Sequence, residues 1–251
     1  LIVYEFPFNE SVRAWLRLEP LLLRLDELRQ RDSAIDHHHA LATLFEVLDV
    51  GARSELKSEL LQELERQRRQ LAALRGNPAV ADELLVQTLQ EVESTAVQLN
   101  QTQGKLGLAL AGHEWLAAVR SRIAIPGGTC SFDLPAYHAW LQGPAARRQH
   151  DLQGWRDTVQ PWSRAVRTVL GLLRGGGSTQ AVSAQAGRFQ HSLNSLRPPQ
   201  LARLTLPQAG PWVPEISGNR LLLVVRMLCM DAQGHLASTQ ESIPFQLTLC
   251  S

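Results

Sequence analysis

Cysteine is scarce in this chain of 251 residues: Cys130, Cys229 and Cys250 are the only three. An odd, sparse set without C-x-x-C spacing argues against a disulfide-stapled scaffold and a structural zinc site. It fits reduced thiols in a cytoplasm. Net charge is only +1, so no global field draws the chain to nucleic acid or to an anionic membrane. Any electrostatic function must rest on local clusters. No run of about 18 apolar residues occurs, so no membrane-spanning helix is expected. The first ten residues lack the basic segment of a signal peptide. P-loop, G-x-G-x-x-G and G-x-S-x-G motifs are all missing.

What is present is helical periodicity followed by alternation. Leu1 to Phe8 alternates as a strand, placed at a sheet edge by Pro7. Asn9 or Ser11 caps a helix, which Pro20 should kink or restart. A second helix covers roughly Asp36 to Val50. The clearest pattern follows. Ser54 stands as the expected cap of a helix that Gly76-Asn77-Pro78 stops. Leu60, Leu64, Gln67, Leu71 and Leu74 keep heptad spacing along it, and Leu85, Val92, Leu99 and Leu106 do so along its partner. Together they predict a long antiparallel helical hairpin, a candidate for a dimer interface. Shorter helices are expected at Glu114 to Ile123 and at Pro161 to Leu173. The glycine run Gly175 to Gly177 marks a boundary.

Beyond it, Arg188 to Leu193, Leu201 to Leu206, Arg220 to Leu228 and Ser242 to Cys250 alternate as four strands. The run Ile125 to Pro135, IPGGTCSFDLP, has a tight turn and then alternating Cys130, Phe132 and Leu134. It reads as a loop feeding one more strand, with Cys130 facing inward. The predicted fold class is α+β: a helical domain with long antiparallel helices and a small discontinuous antiparallel sheet or sandwich. The helical domain takes residues 11–122 and 136–175. The β domain takes 1–10, 123–135 and 178–251.

Candidate chemistry is thin. Cys130 would need His113 or His138 beside it to act as a nucleophile. Consecutive His37, His38 and His39 lie about 100° apart on a helix and do not chelate one ion. An enzyme is not expected, and neither a metal nor a cofactor. The cations are more suggestive. Arg53 and Lys57 lie four apart at a helix start, where positive charge opposes the helix dipole. Arg120 and Arg122 precede the IPGGTCSFDLP run. Arg220 and Arg226 lie six apart on an expected strand, hence on one face. As a set these six form a candidate basic pocket for an acidic tail. A phosphate backbone is the alternative ligand. The charge balance and the lack of a recognition motif or aromatic stacking platform weigh against it.

The IPGGTCSFDLP run, followed by Trp140, resembles the signature of the ZapD family of bacterial cell-division proteins. Further resemblance lies in Tyr4 to Glu10, Trp15 to Glu19, Glu59 to Arg66, Arg75 to Pro78, Glu114 to Leu116 with Arg120 to Arg122, and Pro244 to Cys250. It extends over nearly the full chain. The resemblance implies a non-enzymatic cytoplasmic adaptor, recruited to the division site at midcell. Such proteins bind the C-terminal tail of the tubulin-like protein FtsZ, act as symmetric homodimers and bundle its filaments. No nucleic acid partner and no membrane insertion are expected.

Overall fold

The structure is a computed structural model and describes residues 1–194, 196, 198–207 and 210–251. It divides into two compact units. One holds Leu1–Arg13 with Leu170–Ser251, the other Ala14–Val169.

The second unit is helical. Its elements are α1 (Glu10–Leu28), α2 (Ala34–Val50), α3 (Leu56–Ala72), α4 (Asp82–Gln101), α5 (Glu114–Ile123), α6 (Pro135–Gln142), α7 (Ala145–Thr158) and α8 (Gln160–Gly175). The unit boundary falls inside α1 and α8. Asn9 starts α1 by accepting the Val12 amide at 2.8 Å. The helix then runs unbroken through Pro20, whose ring is exposed. The expected restart at Pro20 therefore does not occur. α2 is buried on most of its surface, including His37, Leu41, Leu44, Phe45 and Leu48. α5, α6 and α7 all pack against it.

The hairpin expected from heptad spacing is α3 and α4. Most of its seam is buried within the chain, while Leu74 at its end is exposed. Leu56, Leu60, Leu64, Leu85, Leu89, Val92 and Leu99 are all buried. Ser54 is not the cap of α3. Glu55 takes that position without a side-chain hydrogen bond, and the Ser54 hydroxyl turns to the Glu55 carboxylate instead.

The run Ile125 to Leu134 forms no strand and lies in the helical unit. This corrects the expected signature strand. The reason is where its amides go. Gly128 N–H bonds to Ile125 C=O at 2.9 Å, and Asp133 and Leu134 N–H both bond to Cys130 C=O at 3.0 Å. With those donors used in local turns, no ladder forms. Gly127, at φ +70, supplies the left-handed residue after Pro126 that a type II turn requires. A Cβ on Gly128 would meet the Arg122 carbonyl oxygen at 2.6 Å. Pro135 then opens α6 at its first turn. Cys130, expected to face inward, is exposed.

The first unit is a two-layer β-sandwich. One sheet has the order β1-β4-β8-β2, from β1 (Ile2–Pro7), β4 (Leu201–Leu206), β8 (Ile243–Cys250) and β2 (Ser178–Ala184). The other has the order β3-β6-β5, from β3 (Arg188–Ser192), β6 (Leu222–Met230) and β5 (Trp212–Gly218). There β7 (Leu236–Ser238) also pairs with β6. Every pairing is antiparallel. Alternate residues of both sheets meet in one core, among them Leu204, Phe245 and Leu247 from the first and Leu223, Val225 and Met227 from the second. Phe189 meets Phe245 edge to face at 5.3 Å across the layers. β1 is the edge strand that Pro7 suggests. Among the described residues, seven strands follow Gly177 where the sequence suggests four. β2, β5 and β7 are the additions.

Candidate functional site

The six cations singled out from the sequence divide between the units. Arg220 and Arg226 belong to the β unit, and Arg53, Lys57, Arg120 and Arg122 to the helical unit.

Arg220 is not on a strand, which corrects the reading that it shares a strand face with Arg226. It stands in the turn between β5 and β6. Asn219 builds that turn: its side-chain oxygen accepts the amides of Leu221 at 2.8 Å and Leu222 at 3.0 Å. An Asx turn of this kind fixes the backbone without using the next side chain. Arg220 is therefore held exposed on a rigid base, with no acidic partner among the described residues. It lines a cleft of about 620 Å³ together with Phe8, Leu193, Pro199, Gln200 and Leu221. The floor is apolar and the rim carries amides and one guanidinium. A carboxylate beside an apolar side chain matches that combination.

Arg226 lies mid-strand in β6. Its register partners are Arg188 on β3 and Glu215 on β5. It makes an ion pair of 2.8 Å with Glu215, both side chains about half exposed at 52% and 54%. Arg188, which the sequence reading did not single out, is thus brought beside Arg226. Only the strand register reveals this, because 38 positions separate the two in the chain.

In the helical unit, Lys57 is already committed. Its ammonium donates to the Asn100 carbonyl at 3.0 Å and to the Thr102 carbonyl, closing the C-terminal end of α4. A cation at that end interacts favourably with the helix dipole, which explains its place better than the start of its own helix does. Arg53 pairs with Glu59 at 3.3 Å. Arg122 lies 3.9 Å from Asp133 of the signature loop. Arg120 pairs with Asp49 and lines two adjoining pockets of about 270 and 320 Å³. They share Leu48, Leu110 and Ala111, so they form one apolar groove, continued by Ala117 on α5 and by Leu108. Lys105, also missed from the sequence, joins Arg120 on its rim.

The histidine run has a packing role. His37 is fully buried and its Nδ1 accepts from Arg148 Nε at 2.8 Å. The His38 Nδ1 lies 2.6 Å from the Tyr137 hydroxyl. His113 accepts the Leu116 amide at the start of α5 and stacks edge-on against Trp155. Among the described residues no group of three His, Cys, Asp or Glu is placed to hold a metal ion. No described helix is long and apolar enough to cross a membrane.

Fold and surface together define a class: an α+β chain that carries cations at apolar clefts. A model of the family described as cell division protein ZapD matches residues 16–226. A cell division protein ZapD from Ralstonia pickettii (strain 12J) is 45% identical over 252 residues, covering the whole of both chains. The chain belongs to the ZapD family of cell division proteins.

Proposed function

We propose that this chain is a non-enzymatic adaptor that binds the acidic C-terminal tail of FtsZ in the cytoplasm at midcell. As a homodimer it crosslinks and bundles FtsZ filaments in the division ring. The observation that carries this reading is Arg220 at the mouth of the β-unit cleft. There a guanidinium with no acidic partner among the described residues stands over an apolar floor, a combination suited to a short tail with acidic and apolar residues. Arg226 extends the same chemistry along the sheet. Its pairing with Glu215 is exposed, and such pairs are worth only about 0–1 kcal/mol. An incoming carboxylate can therefore take Glu215's place. Arg53, Lys57, Arg120 and Arg122 are the helical unit's share of the basic surface. Most of these cations already face a carboxylate or a carbonyl, which breaks up any continuous cationic track. That supports a short acidic peptide over a phosphate backbone as the ligand.

One tail bound at one cleft is a weak contact. Two clefts on a two-fold dimer meet many tails along a filament, so avidity supplies the strength. Charge reversal at Arg53, Arg220 and Arg226 is expected to abolish co-sedimentation with FtsZ polymers. Unchanged co-sedimentation would remove these residues from the binding surface.

A further inference from the structure

A strand at the edge of a sheet presents a row of unpaired N–H and C=O groups, and a second chain can pair with them. Among the described residues, the open edges of the β unit are β1, β2, β3, β5 and β7. All but one carry a feature that discourages pairing. β1 holds Glu5 and Pro7, β3 begins at Arg188, and β5 holds Pro214 and Glu215. β7 is only three residues long. β2 has none of these features. It runs for seven residues with neither a charge nor a proline. Its whole length pairs in unbroken register with β8, from Ser178 opposite Leu249 to Ala184 opposite Ile243, so no bulge turns the edge away. Ser178, Thr179, Gln180 and Ala181 are exposed. Among the described residues, no backbone group outside the ladder with β8 bonds to this strand.

The side chains of β2 suit pairing with the strand's own copy. In an antiparallel pair with a two-fold axis beside Ala181, Ala181 faces itself, Gln180 faces Val182, Thr179 faces Ser183 and Ser178 faces Ala184. No pair sets like charges together, and the small residues let the strands approach. Symmetry selects this occupant, because every hydrogen bond made by one copy is made again by the other. We propose that β2 of one protomer pairs antiparallel with β2 of a second, so that their four-stranded sheets run on as one. Main-chain hydrogen bonds supply the affinity of such strand addition. Seven residues a side are fewer than the roughly 20–30 of a standard interface. The contact is therefore reversible and concentration-dependent, and it forms where copies are crowded along a filament. It is separate from the two-fold contact that the crosslinking homodimer needs. A protomer with two different two-fold contacts links copies beyond a pair.

The inference goes beyond the tail-binding reading and is tested without FtsZ. Sedimentation velocity of the full chain over a concentration series should show, at the upper end, a species of at least twice the mass that prevails at the lower end. Ala181 and its register partner Gln246 are both exposed, so a longer side chain at 181 disturbs no packing. Ala181→Lys and Ala181→Glu should each remove the larger species, because like charges then meet at the axis. Circular dichroism and melting temperature should stay unchanged. An equimolar mixture of the two variants should restore the larger species, since opposite charges then meet. A wild-type chain of one mass at every concentration overturns the proposal. So does a larger species that survives in either variant alone, or a mixture that stays at the lower mass. Tail-peptide affinity should be equal in all three chains, so a failure of tail binding is read apart from a failure of strand pairing.

Discussion

Arg156 is the most enclosed cation of the helical unit, 3% exposed, and it grips Asp26 with two hydrogen bonds of 2.8 and 2.9 Å. Ser163 and Gln160 accept two further hydrogen bonds from the same guanidinium. Burial alone would raise the Asp26 carboxyl. The hydrogen bonds and charge of Arg156, then of Arg29, outweigh it and hold the group below its ordinary value of 3.8. Its contribution to stability is full above that value and is lost as pH falls through the depressed folded value. Arg156→Met leaves Asp26 without its main partner in a partly buried site. The expected loss is about 3 kcal/mol, read from chemical denaturation at neutral pH. A residue on the surface behaves differently. Glu215→Gln removes the carboxylate that competes for Arg226. It is expected to tighten FtsZ-tail binding severalfold, measured by peptide titration, while stability changes by less than about 1 kcal/mol. Weaker binding by this variant would show that Arg226 does not contact the tail.

α2 and the signature loop carry the predictions that belong to elements. His37 and His38 sit on α2, with Arg148 of α7 against the first and Tyr137 of α6 against the second. Both imidazoles are held below the ordinary value of 6.5, chiefly by burial. For His37, the Arg148 charge lowers it further, while Asp32, Asp36 and a backbone bond to Arg31 pull the other way. The unfolded chain therefore binds these protons first. Stability is full above pH 6.5 and falls as pH drops below it. The melting temperature should decline on acidification from about pH 7.5 to 5.5, and His37→Gln should flatten that slope. In the loop, Gly127→Ala places a Cβ at φ +70. The expected cost is about 1–2 kcal/mol, visible as a lower melting temperature.

Elements with a strong period were legible in the sequence. Heptad spacing gave α3 and α4, and alternation gave β4, β6 and β8. The signature misled because Cys130, Phe132 and Leu134 alternate as a strand does, while Pro126-Gly127 and the bonds to Cys130 C=O fold the backbone on itself. β2 is a polar edge strand and β5 holds Pro214 and Gly218, so neither shows an apolar rhythm. Alternation places Arg220 on a strand, although Asn219 signals a turn. The partners of the candidate cations were legible only in part. Arg53–Glu59 is a short-range pair, but Lys57 reaching the end of α4 and Arg188 beside Arg226 exist only through tertiary pairing.

At the scale of the molecule, each unit carries cations over apolar floors. In the β unit one of them, Arg220, is free to meet a ligand among the described residues. Family membership sets the role in cell division. Charge pairs in exposed clefts are screened by salt over about 10 Å at 0.1 M. Bundling should therefore fade as salt rises, and the fall should be steeper for bundling than for binding of a single tail, because avidity multiplies the loss. Light scattering of FtsZ polymers beside peptide titration checks this difference. The most direct test of the central claim is fluorescence anisotropy of a labelled FtsZ C-terminal tail peptide with the wild-type chain and with Arg220→Glu. The account predicts saturable, salt-sensitive binding to the wild type and a loss of at least about tenfold in the variant, the factor that 1.4 kcal/mol represents. Equal affinity for both chains would contradict it.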